Sequence, residues 1–142
     1  VLTGGVQGGG ITIAAAALMP DVALCMPDVP FLCHFRRVVG MTERNPYQEI
    51  VNFLKVHRDK EMRVFETLDY FDGLNFASRI QARSYFSTGL RDATCPPSSV
   101  YAAYNAIKAP KSIEVYRFND HEGGGSLHDL KKLAFVREAW AN

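Results

Sequence analysis

The ten residues Val1-Leu2-Thr3-Gly4-Gly5-Val6-Gln7-Gly8-Gly9-Gly10 constrain the fold of this chain more than any other stretch. A short apolar entry runs into a glycine-crowded turn and then into Ile11-Thr12-Ile13-Ala14-Ala15-Ala16-Ala17-Leu18, an alanine-rich helix former. Strand, cramped turn and helix is the layout of a nucleophile elbow, where Gly-x-Ser-x-Gly holds a serine on a sharp tip. Here the frame reads Gly4-Gly5-Val6-Gln7-Gly8, and the tip is Val6. Valine has no hydroxyl to deprotonate. A β-branched residue on a strained tip also costs about 1–3 kcal/mol, so the turn is expected to relax to an ordinary conformation.

With 142 residues, 47% of them hydrophobic, the chain can bury one core of ordinary size, and it is read as a single domain over residues 1–142. Sixteen Lys and Arg face fifteen Asp and Glu, for a net charge of +1. That balance offers no footprint for nucleic acid or an anionic membrane surface. No apolar run approaches the roughly 20 residues a bilayer span needs. No basic n-region opens the chain, and a cytoplasmic protein is expected. Cys25, Cys33 and Cys95 are odd in number and lack a C-x-x-C spacing. They describe neither a disulfide framework nor a zinc site, and reduced, buried thiols are expected. No metal and no cofactor is inferred.

Beyond the elbow helix, Met19-Pro20 stops the chain. Val22 to Met26 is a continuous apolar run, the mark of a strand covered on both faces. A helical insertion is expected from about His34 to Tyr70, with Met62, Phe65 and Leu68 forming the inner stripe of one of its helices. Asp72-Gly73 restarts the chain into a short helix. Tyr85 to Thr88 is β-prone. Pro96-Pro97 opens a helix with Val100, Ala103, Tyr104 and Ile107 inward, and Ile113 to Phe118 makes a further strand. The last helix is read with Leu127, Leu130, Leu133, Ala134 and Trp140 as its inner stripe. Alternating strands and helices imply an α/β fold with a parallel sheet, here of about three strands.

Three motifs fall in order. The elbow at Val6 comes first. Gly89-Leu90-Arg91-Asp92-Ala93-Thr94-Cys95-Pro96-Pro97 is a strand end carrying an acid, and Asn119-Asp120-His121-Glu122-Gly123-Gly124-Gly125 is a strand end carrying a histidine. The order Ser, acid, His belongs to α/β-hydrolases. Asp28-Val29-Pro30-Phe31-Leu32-Cys33-His34-Phe35-Arg36-Arg37 and Pro97-Ser98-Ser99-Val100-Tyr101-Ala102-Ala103-Tyr104-Asn105 resemble the acetyl xylan esterase/cephalosporin C deacetylase family. The resemblance spans the chain and matches the C-terminal part of a family member, from the elbow onward.

The resemblance implies a truncated α/β-hydrolase fold, with Asp92 as the orienting acid and His121 as the general base. It makes the amide of Gln7 an oxyanion donor and places Val6 where the family has its serine. A catalytically silent, degenerate hydrolase fragment is therefore expected. The alternatives are a deacetylase of acetylated sugars, active within a longer chain or an assembly, and a small-ligand-binding module. Cys95 is read as a packing residue, and His57 and His128 as solvent-facing. The strand entering the elbow would leave an open sheet edge, so a homo-oligomer is expected, most simply a dimer, burying that edge or bare helix faces.

Overall fold

The computed structural model describes residues 1–141. Four parallel strands, β1 (Leu2–Gly5), β2 (Leu24–Asp28), β3 (Arg83–Gly89) and β4 (Lys111–Tyr116), lie side by side in chain order. The sequence suggested three. The fourth is β1, whose four residues pair in full register with β2, Leu2 opposite Cys25 through Gly5 opposite Asp28. Strands in sequential order in a parallel sheet require crossovers, which the intervening helices supply.

Period-two alternation sorts the strand residues between two layers. Cys25 and Phe86 face a core shared with Ile13 and Ala16 of α1 (Gln7–Leu18), Ala77 of α5 (Gly73–Ala77), and Val100 and Ala103 of α6 (Pro97–Ala106). Leu24, Met26 and Tyr85 face the other way, onto Phe135 of α7 (Gly125–Ala141). α1 packs across β1 and β2 and against α5. Between β2 and β3 the chain makes α2 (Phe35–Val39), α3 (Tyr47–Val56) and α4 (Glu61–Asp69), the helical segment expected between residues 34 and 70. Phe31, Phe35, Val38, Tyr47 and Cys95 form its core. The Phe31 and Tyr47 rings lie 4.4 Å apart.

α7 turns a different face inward from the one expected. Leu127, Leu130, Leu133 and Trp140 are all more than half exposed, and Ala134 is exposed with them. His128, Lys132, Phe135, Val136 and Ala139 sit toward the sheet instead. The reason lies in the sheet. Asp28, Glu114 and Tyr116 on its α7 side need polar partners, and burying them under leucine would strand them. In α4, Phe65 is buried as expected, but Met62 is 73% exposed and lies outside the inner stripe.

Candidate functional site

The C-terminal ends of β1, β3 and β4 each carry one of the three motifs. β1 ends at Gly5, and Val6 follows with φ 54° and ψ −115° before Gln7 opens α1. The turn has kept the strained elbow conformation, contrary to the expectation that valine relaxes it. Three backbone hydrogen bonds hold it. Val6 N–H donates to the Asp28 carbonyl at 3.0 Å, and the Val6 carbonyl accepts from Gly10 N–H at 3.1 Å and Phe31 N–H at 2.8 Å. Close packing adds to this: a Cβ at Gly10 would overlap the Phe31 carbonyl. The surroundings over-determine the tip, so strain of order 1–3 kcal/mol persists. Val29, Leu32 and His34 in the adjoining loop also have positive φ, concentrating strained backbone beside the elbow.

β3 ends at Gly89, and Asp92 follows three residues later. Its side chain is fully buried. One oxygen, Oδ1, accepts the amides of Thr94 and Cys95, each at 2.8 Å. The other, Oδ2, lies 3.0 Å from Nδ1 of His121. His121 stands on the loop between β4 and α7 and is one-third exposed. That loop is fastened by Arg91 N–H donating to the Asn119 carbonyl at 3.1 Å and by Asn119 Nδ2 donating to Glu122 Oε1 at 2.8 Å. The buried carboxylate, which can only accept, thus orients the ring through Nδ1, with Nε2 as its other nitrogen.

Gln7 is the first residue of α1, so its N–H has no acceptor within the helix. Val6 packs against the cluster that contains Cys95. The potential ligand atoms of Asp92, Cys95 and His121 all lie within 4.8 Å of one another. A thiolate would suit a metal there, but burial, aided by the Asp92 charge, pushes the Cys95 thiol well up. Cys25 and Cys33 are also free and buried.

Sequence reasoning missed a second polar cluster beneath the elbow. Asp28 ends β2, and its carboxylate meets Lys132 and His128 of α7. His128 is 3% exposed and not solvent-facing. The one available signal was spacing: His128, Lys132 and Phe135 share a helix face at i, i+4 and i+7.

A parallel sheet clothed by helices on both faces, with an elbow and an acid–histidine pair at its strand ends, is the architecture of the α/β-hydrolases. Residues 1–139 match the family model acetyl xylan esterase (AXE1), and the chain belongs to that family. It is 32% identical over 123 residues to acetyl esterase Axe7A of Xylanibacter ruminicola, covering 83% of this chain and 26% of that protein. The solved acetyl xylan esterase from Paenibacillus sp. R4 superposes with a TM-score of 0.91 at 43% identity, over 95% of this chain and 43% of that one. Acetyl xylan esterase 1 from Thermoanaerobacterium sp. JW/SL YS485 gives 0.88 at 38% identity, over 97% and 44%. The chain therefore spans less than half the length of these relatives. No helix among the described residues is long and apolar enough to cross a membrane.

Proposed function

We propose that this chain keeps an acetyl-xylan-esterase-type scaffold whose acyl-transfer chemistry has been lost at residue 6. The observation that carries this is a valine on an elbow still held in its strained form, with His121 and Asp92 still paired at 3.0 Å. With a serine at the tip, His121 Nε2 would take the hydroxyl proton while Asp92 holds Nδ1–H. The Gln7 amide would then donate to the developing oxyanion. Valine removes the attacking oxygen, so no acyl intermediate forms. What binding and an oxyanion hole retain without a nucleophile is only about 10³–10⁴-fold over water. The ligand class that suits this reading is a short acyl ester of a sugar, in keeping with the acetyl and acetyl xylan esterases that the chain resembles.

The test compares the wild type with Val6→Ser using p-nitrophenyl acetate and a fluorophosphonate label. The wild type should hydrolyse at the buffer rate and take no label. Val6→Ser should take label at residue 6, and His121→Ala in that background should abolish it. Wild-type turnover that disappears in His121→Ala would overturn the proposal.

A second reading, an esterase complete only within a larger body, is favoured by the 43% and 44% coverage of the solved esterases. Apart from that reading, we propose that the chain pairs with a second copy of itself, which carries the same valine and so restores no nucleophile. β1 stands at the end of the sheet order with β2 as its strand neighbour. Val6 N–H bonds toward β2, so alternation along the strand turns the amides of Thr3 and Gly5 to the open side. Ile11, Leu18 and Met19 at α1, and Leu133 and Trp140 on α7, are exposed apolar residues on the two flanking layers. A two-fold axis would pair β1 with its mate and remove both edges at once, and a net charge of +1 opposes this little. Sedimentation should show a dimer at micromolar concentration that Thr3→Pro converts to a monomer. A wild-type monomer would exclude the arrangement.

A further inference from the structure

The polar cluster under the sheet touches both the elbow and the His121 loop of the site above it. Asp28 faces the elbow with its main chain and α7 with its side chain. Its carbonyl accepts the Val6 amide at 3.0 Å. Its carboxylate receives Lys132 on Oδ2, while Oδ1 lies 2.8 Å from His128 Nε2 in an oblique contact. The other nitrogen of His128, Nδ1, lies 3.0 Å from the Tyr116 hydroxyl. Partial burial pushes the Tyr116 phenol up. The Asp28 carboxylate can only accept, so the Nε2 that faces it carries a ring proton, which leaves Nδ1 to accept from the Tyr116 hydroxyl.

Tyr116 ends β4 and lies flat against the glycine run of the next loop, where a Cβ at Gly124 would overlap its ring. That loop carries His121. His128 is also tied to the loop directly, since its own amide donates to the Gly124 carbonyl at 3.2 Å. The Tyr85 ring lies 5.2 Å from the imidazole and closes its remaining side. One 3%-exposed imidazole thus stands between the residue that holds the elbow amide and the residue that supports the base loop.

We propose that His128 is a positioning residue, which fixes the elbow at residue 6 relative to the His121 loop by gripping Asp28 with one ring nitrogen and Tyr116 with the other. This rests on the reading of His121 and Asp92 as an inherited base–acid pair. His128 itself touches no reacting atom. Without it, Lys132 still neutralises Asp28, so the fold survives. The Tyr116 hydroxyl loses its acceptor, and elbow and loop lose their common strut.

The test needs no turnover. Native-state amide exchange is read at Val6, which reports the elbow, and at Gly123 and Gly125, which report the loop, in wild type, His128→Leu, His128→Gln and Phe135→Leu. Phe135 shares the helix and the face, and its ring stacks on Tyr85 at 4.9 Å with the Arg83 guanidinium 4.5 Å away, outside the Asp28–His128–Tyr116 chain of contacts, so its variant reports simple loosening of α7. His128→Leu should speed exchange at both places by about tenfold, the scale of one lost hydrogen bond. Phe135→Leu should leave their ratio to the core amides unchanged. His128→Gln, whose amide both donates and accepts, should restore protection. Equal effects of the two leucine variants, or loosening of one place without the other, would overturn the proposal. A Val6→Ser variant that stays inactive would count against the functional reading alone and leave this result standing.

Discussion

The amide of Val6 donates to the carbonyl of Asp28 at 3.0 Å, so the strained elbow is held from the neighbouring strand as well as by the first helical bond of its own turn. That explains how valine persists at φ 54°. It also gives a stability prediction. Val6→Gly relieves about 1–3 kcal/mol of backbone strain and gives back about 0.5–1 kcal/mol through the more flexible unfolded chain. Some apolar contact with Phe31 is lost as well. Urea unfolding should show the glycine variant more stable by about 1 kcal/mol. A loss of stability would mean that the Val6 side chain, rather than the hydrogen bonds, holds the elbow.

Asp72 is 3% exposed, and its two oxygens accept three backbone amides. These are His34 at 2.7 Å, Phe35 at 2.8 Å and Leu74 at 2.9 Å. One carboxylate therefore caps α5 and pins the start of α2. Asp72→Ala should cost about 3 kcal/mol, because it strands buried donors rather than simply deleting a bond. Asp72→Asn, which keeps one acceptor oxygen, should recover part of this. Chemical denaturation of the two variants tests the order, and equal losses would contradict it.

Much of the sheet is legible in the sequence because its two central strands, β2 and β3, are buried on both faces. Runs such as Val22 to Met26 can be little else, and the prolines at 20, 96, 97 and 110 mark where helices stop or start. Asp92 and His121 are legible from motif order, since each follows a strand end. The face of α7 is not. Its row Leu127, Leu130, Leu133 is the more apolar one, and the inward choice is made by Asp28, Glu114 and Tyr116, residues distant in sequence whose need for partners periodicity does not register. The persistence of the elbow is also hidden. Intrinsic preference for φ is local, whereas the bonds that tie Val6 to Asp28 and Phe31 are set by tertiary packing.

Acid should probe the bond between α7 and the sheet. Burial alone would raise the Asp28 carboxyl, but hydrogen bonds from His128 and Lys132 hold it below its ordinary value of 3.8. A folded value below the unfolded one contributes stability that is complete above pH 3.8 and is lost as pH falls further. Glu114, held low by Lys131, titrates in a similar range. The wild-type curve alone therefore does not isolate Asp28, and the comparison with Lys132→Met does. That variant should lose about 2 kcal/mol at pH 7. The gap should also narrow as pH falls below 3.8, where acid begins to protonate the carboxylate. A gap that stays constant from pH 7 to pH 2 would show that Lys132 stabilises the fold by packing alone.

The thiols give a prediction at the opposite end of the pH scale. Burial pushes Cys25 up to about 12 from an ordinary 9.0 and moves Cys33 and Cys95 upward as well. Alkylation needs the thiolate, and none of the three is accessible in its native place. Iodoacetamide at pH 8 should leave the folded chain unmodified and label all three positions in urea. The same shifts make the native state hold thiol protons that the unfolded chain releases. Their contribution is complete below pH 9 and falls as pH rises beyond it, so the urea midpoint should drop between pH 9 and pH 10.5. Cys95→Ala should shrink that drop. Rapid native labelling at Cys95 would instead reveal a reactive thiol beside His121, able to attack where Val6 is not.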